Sequence, residues 1–300
     1  MTNLNLALKI DVDTERGTRI GVPQLSALLK KLNIPATFFF SLGPDNTGRA
    51  LKRVFRRGFF AKVSRTSVVS TYGIRTLLNG ILLPGPHIGK KHAKLIAATK
   101  AAGFSVGIHC YDHVFWQDNV HRLSVEKIAR EFEKACTVFE SIFHIKAQAA
   151  AAPGWQANAK TFAVYDAADL LYASDCRGKE PFFPYIDDKV FNTLQIPTTL
   201  PTLDELLGLP EYPLERIADY YLSLLQINKP NVLTIHAELE GMKYLSWFES
   251  FLLQLKQRMV AFYDLETLAN QCLQNKNQIP VRNVTRGAIS GRSGTLALAM

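Results

Sequence analysis

LNLALKIDVDT, residues 4–14, is the stretch that decides the fold. Leu4, Leu6, Leu8 and Ile10 recur at period two, the spacing of a β-strand, and the run ends on Asp11 with Asp13 two places on. Outward from it, Leu25, Leu28, Leu29 and Leu32 form one helical stripe behind Pro23, a residue suited to the first turn of a helix. ATFFFS (residues 36–41) then reads as a buried strand. After an interruption the alternation resumes with a helix over about 90–102, closed by Gly103, and the strand FSVGIH (104–109). Ser124 caps a long helix to about Phe143, followed by strands at 147–151, 170–175, 193–196 and 232–237. Helices near 214–226 and 243–258, a short strand at 260–262 and a helix opening at Asp264 complete the series. Strand and helix in strict turn predict a parallel α/β sheet, and about seven repeats predict a barrel over an open sheet. The polar, weakly patterned residues 275–300 are expected to be a tail on a barrel of residues 1–274.

The chain has 300 residues, 47% hydrophobic and 20% charged, which excludes a disordered polymer. Its four cysteines include no C-x-x-C pair, so a disulfide scaffold is excluded and a reducing compartment is expected. The N-terminus lacks the basic n-region of a signal peptide, and no apolar run is long enough to span a bilayer. These features predict a cytoplasmic protein, soluble or peripheral on a membrane. The formal charge of +9 is unevenly spread: residues 46–111 contain twelve Lys and Arg and no Asp or Glu, so that block carries +12 and the remainder −3. It reads as a basic insertion after the second strand, at about 42–88, and such a block predicts an anionic partner. Arg49, Lys52, Arg53, Arg56 and Arg57 are interleaved there with Phe55, Phe59 and Phe60. Cations beside aromatic rings suit an anionic membrane surface, while a solvated basic helix accounts for the same charges. No zinc finger, RNP or basic-zipper pattern accompanies them, so no nucleic acid partner is expected.

The polar residues at strand C-termini carry the chemistry, because that face of a parallel barrel collects active sites. They are Asp11 and Asp13 after the first strand, His109 and His113 around the third, Asp175 after the strand at 170–175, and His236 after the strand at 232–235. Each fragment alone is weak: Asp-x-Asp is more often a turn, and a lone histidine more often a core residue. Together they place two carboxylates and three imidazoles where one metal-assisted acid–base site would form.

IDVDT, GIHCYDH, AAPGW, YASDC and LTIHAE, in that order, resemble the five motifs of the polysaccharide deacetylase (NodB-homology) family. The resemblance covers about residues 4 to 290 and implies a distorted (β/α)7 barrel. It also implies a metal triad of Asp13, His109 and His113, a catalytic base at Asp11 and a catalytic acid at His236. The divalent ion would be zinc, cobalt or manganese. DTERGTR, GVPQL, SLGPDN, SDCRG and IHAELEG resemble one branch of that family more closely. That branch hydrolyses the formamide of an undecaprenyl-phosphate-linked formamido sugar, in lipid A aminoarabinose modification and cationic peptide (polymyxin) resistance. Its substrate places the enzyme on the anionic cytoplasmic face of the inner membrane. Arg16, Arg19, Tyr111, Trp155, Asp175 and Arg177 are expected on the substrate side, with Arg16 and Arg19, just after the metal carboxylate, toward the phosphate. One departure stands out. The family's third motif begins with an arginine that pairs with the base, and here that position is Ala151; Arg177, steered by Asp175, is the expected replacement.

Three other readings compete with this one. An N-deacetylase of another amino-sugar lipid or polysaccharide would share every motif. A haloacid-dehalogenase-type phosphatase also begins with Asp-x-Asp after a strand, but it requires Asp-x-Asp-x-Thr, whereas Glu15 stands where that threonine belongs. A non-enzymatic lipid-binding barrel would explain the basic block and leave the strand-end cluster without a purpose.

Overall fold

A computed structural model describes residues 4–50 and 73–300. Strand β1 (Asn5–Val12) is buried along nearly its whole length, on both faces. It pairs in parallel with β2 (Thr37–Ser41) on one side and with β9 (Val232–His236) on the other. From β2 the parallel ladder continues through β3 (Ser105–Cys110), β4 (Ala149–Ala150), β5 (Tyr172–Ala173) and β8 (Leu194–Gln195). Just beyond β8 the amides of Thr199 and Leu200 both donate to the Val232 carbonyl at 3.1 Å, which draws that edge to β9. The order β9–β1–β2–β3–β4–β5–β8 is the seven-strand parallel ring that the alternation predicts. Strand β10 (Ala261–Tyr263) adds parallel pairing at the start of β1.

The helices cover the outside of this ring. Helix α1 (Val22–Leu32) buries the predicted leucine stripe and ends where Asn33 turns left-handed at φ 52°. Helix α2 (Ile88–Ala101) precedes β3, and the short α3 (His113–Asn119) follows it, capped by Asp112, whose Oδ1 accepts from the Phe115 amide at 2.9 Å. Helix α4 (Val125–Phe143) buries Ile128, Phe132, Ala135, Phe139, Ile142 and Phe143 along one face. Burying a side chain of this size stabilises the fold by about 1.5–3 kcal/mol, so this one stripe fixes the helix to the sheet. Helices α5 (Ala159–Ala167), α6 (Leu214–Leu224), α7 (Leu245–Gln257) and α8 (Leu265–Leu273) complete the layer. Asp264 opens α8 as expected, its Oδ1 accepting from the Thr267 amide at 2.6 Å.

The last residues depart from the expected tail. Strands β11 (Val281–Gly287) and β12 (Leu296–Ala299) join β6 (Phe183–Ile186) and β7 (Lys189–Val190) in a second sheet ordered β12–β11–β6–β7. Leu296 and Ala297 are buried, and the Arg177 backbone bonds to Ala297 and Ala299 on either side. Only Val284 is buried in β11, so the strand lacks the apolar alternation that would announce it in the sequence. Residues Lys52, Arg53, Phe55, Arg56, Arg57, Phe59 and Phe60 lie outside the described residues. Among the described residues no helix is long and apolar enough to cross a membrane.

Candidate active site

The C-terminal ends of β1 and β3 flank that of β2, and this brings the expected triad together. Asp13 follows β1, His109 sits next to last in β3, and His113 begins α3. Asp13 Oδ1 lies 3.2 Å from His109 Nε2 and 3.5 Å from His113 Nε2. One ligand atom from each residue falls within 4.8 Å of the others. Asp13 Oδ1 is buried and has no hydrogen-bond partner. A carboxylate oxygen and two imidazole nitrogens that face one another and leave such an atom unsatisfied are a donor set for a divalent cation. Burial pushes the Asp13 carboxyl upward, but the charges of His113 and His109 outweigh it and hold the group far below the usual range. The turn behind Asp13 is tied across the barrel: Glu238 Oε1 accepts from the amides of Asp13 (3.1 Å) and Thr14 (2.8 Å) and from Thr14 Oγ1 (2.7 Å).

Asp11 projects from the same strand and is the Cα partner of His236 on β9. Its Oδ1 is unpartnered and lies 3.9 Å from His109 Nδ1. The cation against it is not the expected one. Lys9, fully buried, places Nζ 3.3 Å from Asp11 Oδ2 and donates to the Ser174 carbonyl at 3.0 Å. The rings of Trp155 and Phe39 lie 5.4 and 5.8 Å from that ammonium. Arg177 is engaged elsewhere: Nη1 reaches both oxygens of Glu205 at 2.8 and 2.9 Å, while Nε and Nη2 donate to the carbonyls of Thr198 and Leu200. Asp175 does not steer Arg177 either. Its Oδ1 accepts from the Ala152 amide at 2.6 Å and its Oδ2 from Gln195 at 3.0 Å, which braces the loop carrying Trp155. Burial pushes the Asp175 carboxyl up to about 6.

His236 is ringed by carboxylates. Asp204 Oδ1 stands 4.0 Å from its Nδ1, and Glu240 Oε2 accepts from its backbone amide at 2.9 Å. Burial pushes the imidazole down, but the charges of Asp204, Asp13, Asp11 and Glu240 prevail and raise it above an ordinary histidine. Burial also lifts Glu240 to about 7 and Glu238 to about 8.

The remaining expected residues divide. Trp155 is buried at φ 54°, with Nε1 donating to Thr198 Oγ1 at 3.1 Å, so it belongs to the wall beside Lys9. Arg16 lines a cavity next to Glu238. Arg19 is half exposed, with Nε 3.5 Å from Glu15, which also takes Lys91 and His92. Tyr111 turns to His87, Oη to Nε2 at 3.4 Å, with Lys134 over its ring. Sequence reasoning missed Lys9, Asp204, Glu238 and Arg292. Arg292 comes from the supposed tail to lie 4.5 Å over the Trp155 ring and 3.8 Å from Glu205.

A parallel seven-strand ring with a carboxylate–histidine cluster on its C-terminal rim is the arrangement that the resemblance to the carbohydrate deacetylases, a class of hydrolases, implies. The polysaccharide deacetylase family matches residues 11–173, and the chain belongs to that family. The chain is 34% identical over 292 residues to a Shewanella sediminis protein described as "probable 4-deoxy-4-formamido-L-arabinose-phosphoundecaprenol deformylase ArnD", covering 97% of this chain and 93% of the relative. A protein of Wigglesworthia glossinidia brevipalpis with the same description is 34% identical over 284 residues, covering 94% of this chain and 97% of the relative. Among solved structures, a "probable polysaccharide deacetylase" from Pseudomonas aeruginosa shares the fold with a TM-score of 0.61 at 15% identity, covering 91% of this chain and 92% of its own.

Proposed function

We propose that this chain is a metal-dependent deformylase acting on 4-deoxy-4-formamido-L-arabinose-phosphoundecaprenol. It would release formate and leave the 4-amino sugar lipid used in lipid A modification and cationic peptide (polymyxin) resistance. The observation that carries the reading is the meeting of Asp13, His109 and His113 beside Asp11 and His236, in a chain similar to the two deformylase-named relatives over nearly its whole length.

Asp13, His109 and His113 would hold a divalent ion, and an oxygen–nitrogen–nitrogen donor set suits zinc, cobalt or manganese. When bound, such an ion lowers the pKa of its water toward about 7 and polarises the amide carbonyl. Asp11, with its free Oδ1 toward the cluster and Oδ2 held by Lys9, accepts the proton of the attacking water. His236 donates a proton to the departing nitrogen, since an amide anion is too basic to leave unaided. The four carboxylates around it stabilise the imidazolium it must be before that transfer. Trp155 and Phe39 keep water from the Lys9–Asp11 pair.

A membrane-bound substrate also gives the basic block a use. In its described part, Arg49 and Arg75 accompany Ile74, Ile81, Leu82 and Leu83, which expose 68%, 49%, 75% and 38% of their surface. Apolar side chains among cations, in a stretch (46–111) that holds no Asp or Glu, support docking on an anionic lipid leaflet. Each Lys or Arg there would contribute about 1 kcal/mol.

The decisive assay supplies metal-loaded protein with formylated and acetylated forms of the amino-sugar lipid and weighs the products. Formate release from the formyl lipid is expected to exceed acetate release from the acetyl lipid. Asp13→Ala or His109→Ala should abolish both metal retention and turnover. Preferred acetate release would shift the reading to an N-deacetylase.

A further inference from the structure

Two of the three cluster residues stand outside the sheet. His109 lies within β3, whereas Asp13 sits in the turn after β1 and His113 is the first residue of the short α3. The first residues of the basic insertion reach both. Asp45 Oδ2 accepts at 3.0 Å from the amide of Glu15, two residues beyond Asp13. With Glu238 on the amides of Asp13 and Thr14, three consecutive amides of this turn end on carboxylates from elsewhere in the chain. The neighbouring Asn46 donates from Nδ2 to Asp112 Oδ2 at 2.6 Å. Asp112 immediately precedes His113, and its other oxygen caps α3. Adjacent side chains, Asp45 and Asn46, thus grip the turn that carries one ligand and the helix start that carries another.

The insertion closes on itself at the same point. The Asp45 amide donates to the Pro86 carbonyl at 2.9 Å and the Gly48 amide to the Asn79 carbonyl at 3.0 Å. Asp45 Oδ1 takes the amide and hydroxyl of Thr47 at 3.1 and 2.6 Å, and Asn79 Nδ2 approaches Oδ2 at 3.4 Å. Glycines allow the fit: Gly80 is left-handed at φ 80°, and a Cβ on it would stand 2.6 Å from Asn46 Oδ1. Asp45, Asn46, Asn79 and Asp112 are all buried, and burial penalises polar side chains unless they are hydrogen-bonded. Backbone bonds alone would close this neck. The bonds from Asp45 to Glu15 and from Asn46 to Asp112 add what closure does not require, a fixed spacing between the turn after β1 and the start of α3. Ligand atoms that share one ion at about 2.0–2.2 Å need such a spacing.

We infer that Asn46 is a positioning residue of the metal cluster, an inference that rests on the metal-dependent reading above. Acting through Asp112, it sets where His113 stands relative to Asp13, while Asp45 anchors the Asp13 side. The neck of the basic insertion is then part of the metal site's frame as well as the stem of a docking segment.

The test exchanges donor and acceptor. Asn46→Asp keeps the shape and sets a second carboxylate against Asp112. The double variant Asn46→Asp, Asp112→Asn restores the bond in reverse and keeps an oxygen for the Phe115 amide. Each protein is titrated with Co(II) in competition with a chromophoric chelator, and the visible bands of the bound ion report its ligand geometry. Asn46→Asp should bind Co(II) about tenfold or more weakly, the effect of losing a partner that orients a ligand, with displaced bands. The double variant should return to within a few-fold of wild type, with its bands restored. Asn46→Ala adds no repulsion, should also weaken Co(II), and carries the test if Asn46→Asp does not fold. Wild-type affinity and bands in the single variants, or a loss that the exchange fails to restore, would overturn the role of Asn46. Formate release by the wild-type protein from the formylated amino-sugar lipid is scored separately. Bound Co(II) without formate release sinks the deformylase reading and leaves Asn46 in place, whereas a wild-type protein that binds no Co(II) removes both.

Discussion

Asp11 and His236 are partners across the β1–β9 ladder, yet their surroundings are opposite in kind. Asp11 has a buried ammonium at 3.3 Å and aromatic walls behind it. His236 has carboxylates on every side, Asp204 foremost. Each neighbour carries the charge that complements the group's starting state, a base that must accept and an acid that must still hold its proton. The pair thus divides into a cation-backed flank and an anion-backed flank, and each flank has its own failure. The largest expected effect belongs to the base. Asp11→Asn keeps the shape and should keep the metal, because Asp13, His109 and His113 are untouched. It removes the proton acceptor, and turnover should fall by about two to four orders of magnitude. Near-normal turnover with full metal content would remove Asp11 from that role.

Next in size is the cation behind it. Lys9→Met keeps the length and apolar stem against Phe39 and Trp155 and deletes only the charge. We expect turnover to drop about ten- to a hundredfold, the range of partners that orient an active group, with metal content unchanged and Lys9→Arg recovering part of the loss. Arg177→Ala sharpens the contrast. It removes the nearer cation from the buried Glu205 carboxylate, leaving Arg292 at 3.8 Å, and should cost up to about 3–5 kcal/mol of stability, read by denaturant titration. If Arg177→Ala instead reproduced the Lys9→Met rate loss in a stable protein, the arginine rather than the lysine would be the partner of the base.

The sequence carried the ring and the triad because both rest on short-range regularities. Period-two leucines, apolar runs and strand-end Asp and His are visible without knowing what packs on what, and β1, β2, β3, β8 and β9 stand close to where those patterns put them. Lys9 was hidden by the same rule. In a strand with one wet face, the residue between Leu8 and Ile10 would point to solvent. A barrel strand is covered on both faces, so Lys9 and Asp11 share the inner one. The signal was present as charged residues at alternate positions, Lys9, Asp11 and Asp13, in an otherwise apolar strand. Asp204 reaches the site from a four-residue helix (Leu203–Leu206), Glu238 from the turn after β9, and Arg292 from the loop between β11 and β12, pieces too short to show a periodicity. Nothing local in the sequence records which loop closes over which strand.

The smallest expected effect lies on the anion-backed flank and is a displacement along the pH axis. His236 must be protonated to serve as the acid, so activity falls as pH rises through its pKa. That pKa is raised, which puts the alkaline limb above the ordinary histidine value of about 6.5. Asp204 is the first of the charges that raise it, against a burial effect that lowers it. Asp204→Asn removes that charge and keeps the side chain's size, so the imidazole loses its proton more easily and the limb of kcat/KM should move toward lower pH. Turnover well below the limb should stay within a few-fold of wild type, because the histidine is protonated there in either protein. The corresponding Lys9→Met profile supplies the comparison: its loss should persist at acid pH, where His236 is fully charged. A limb that stays in place in Asp204→Asn would mean that the carboxylates around His236 do not govern its proton, and the contrast between the two flanks would fail on that side alone.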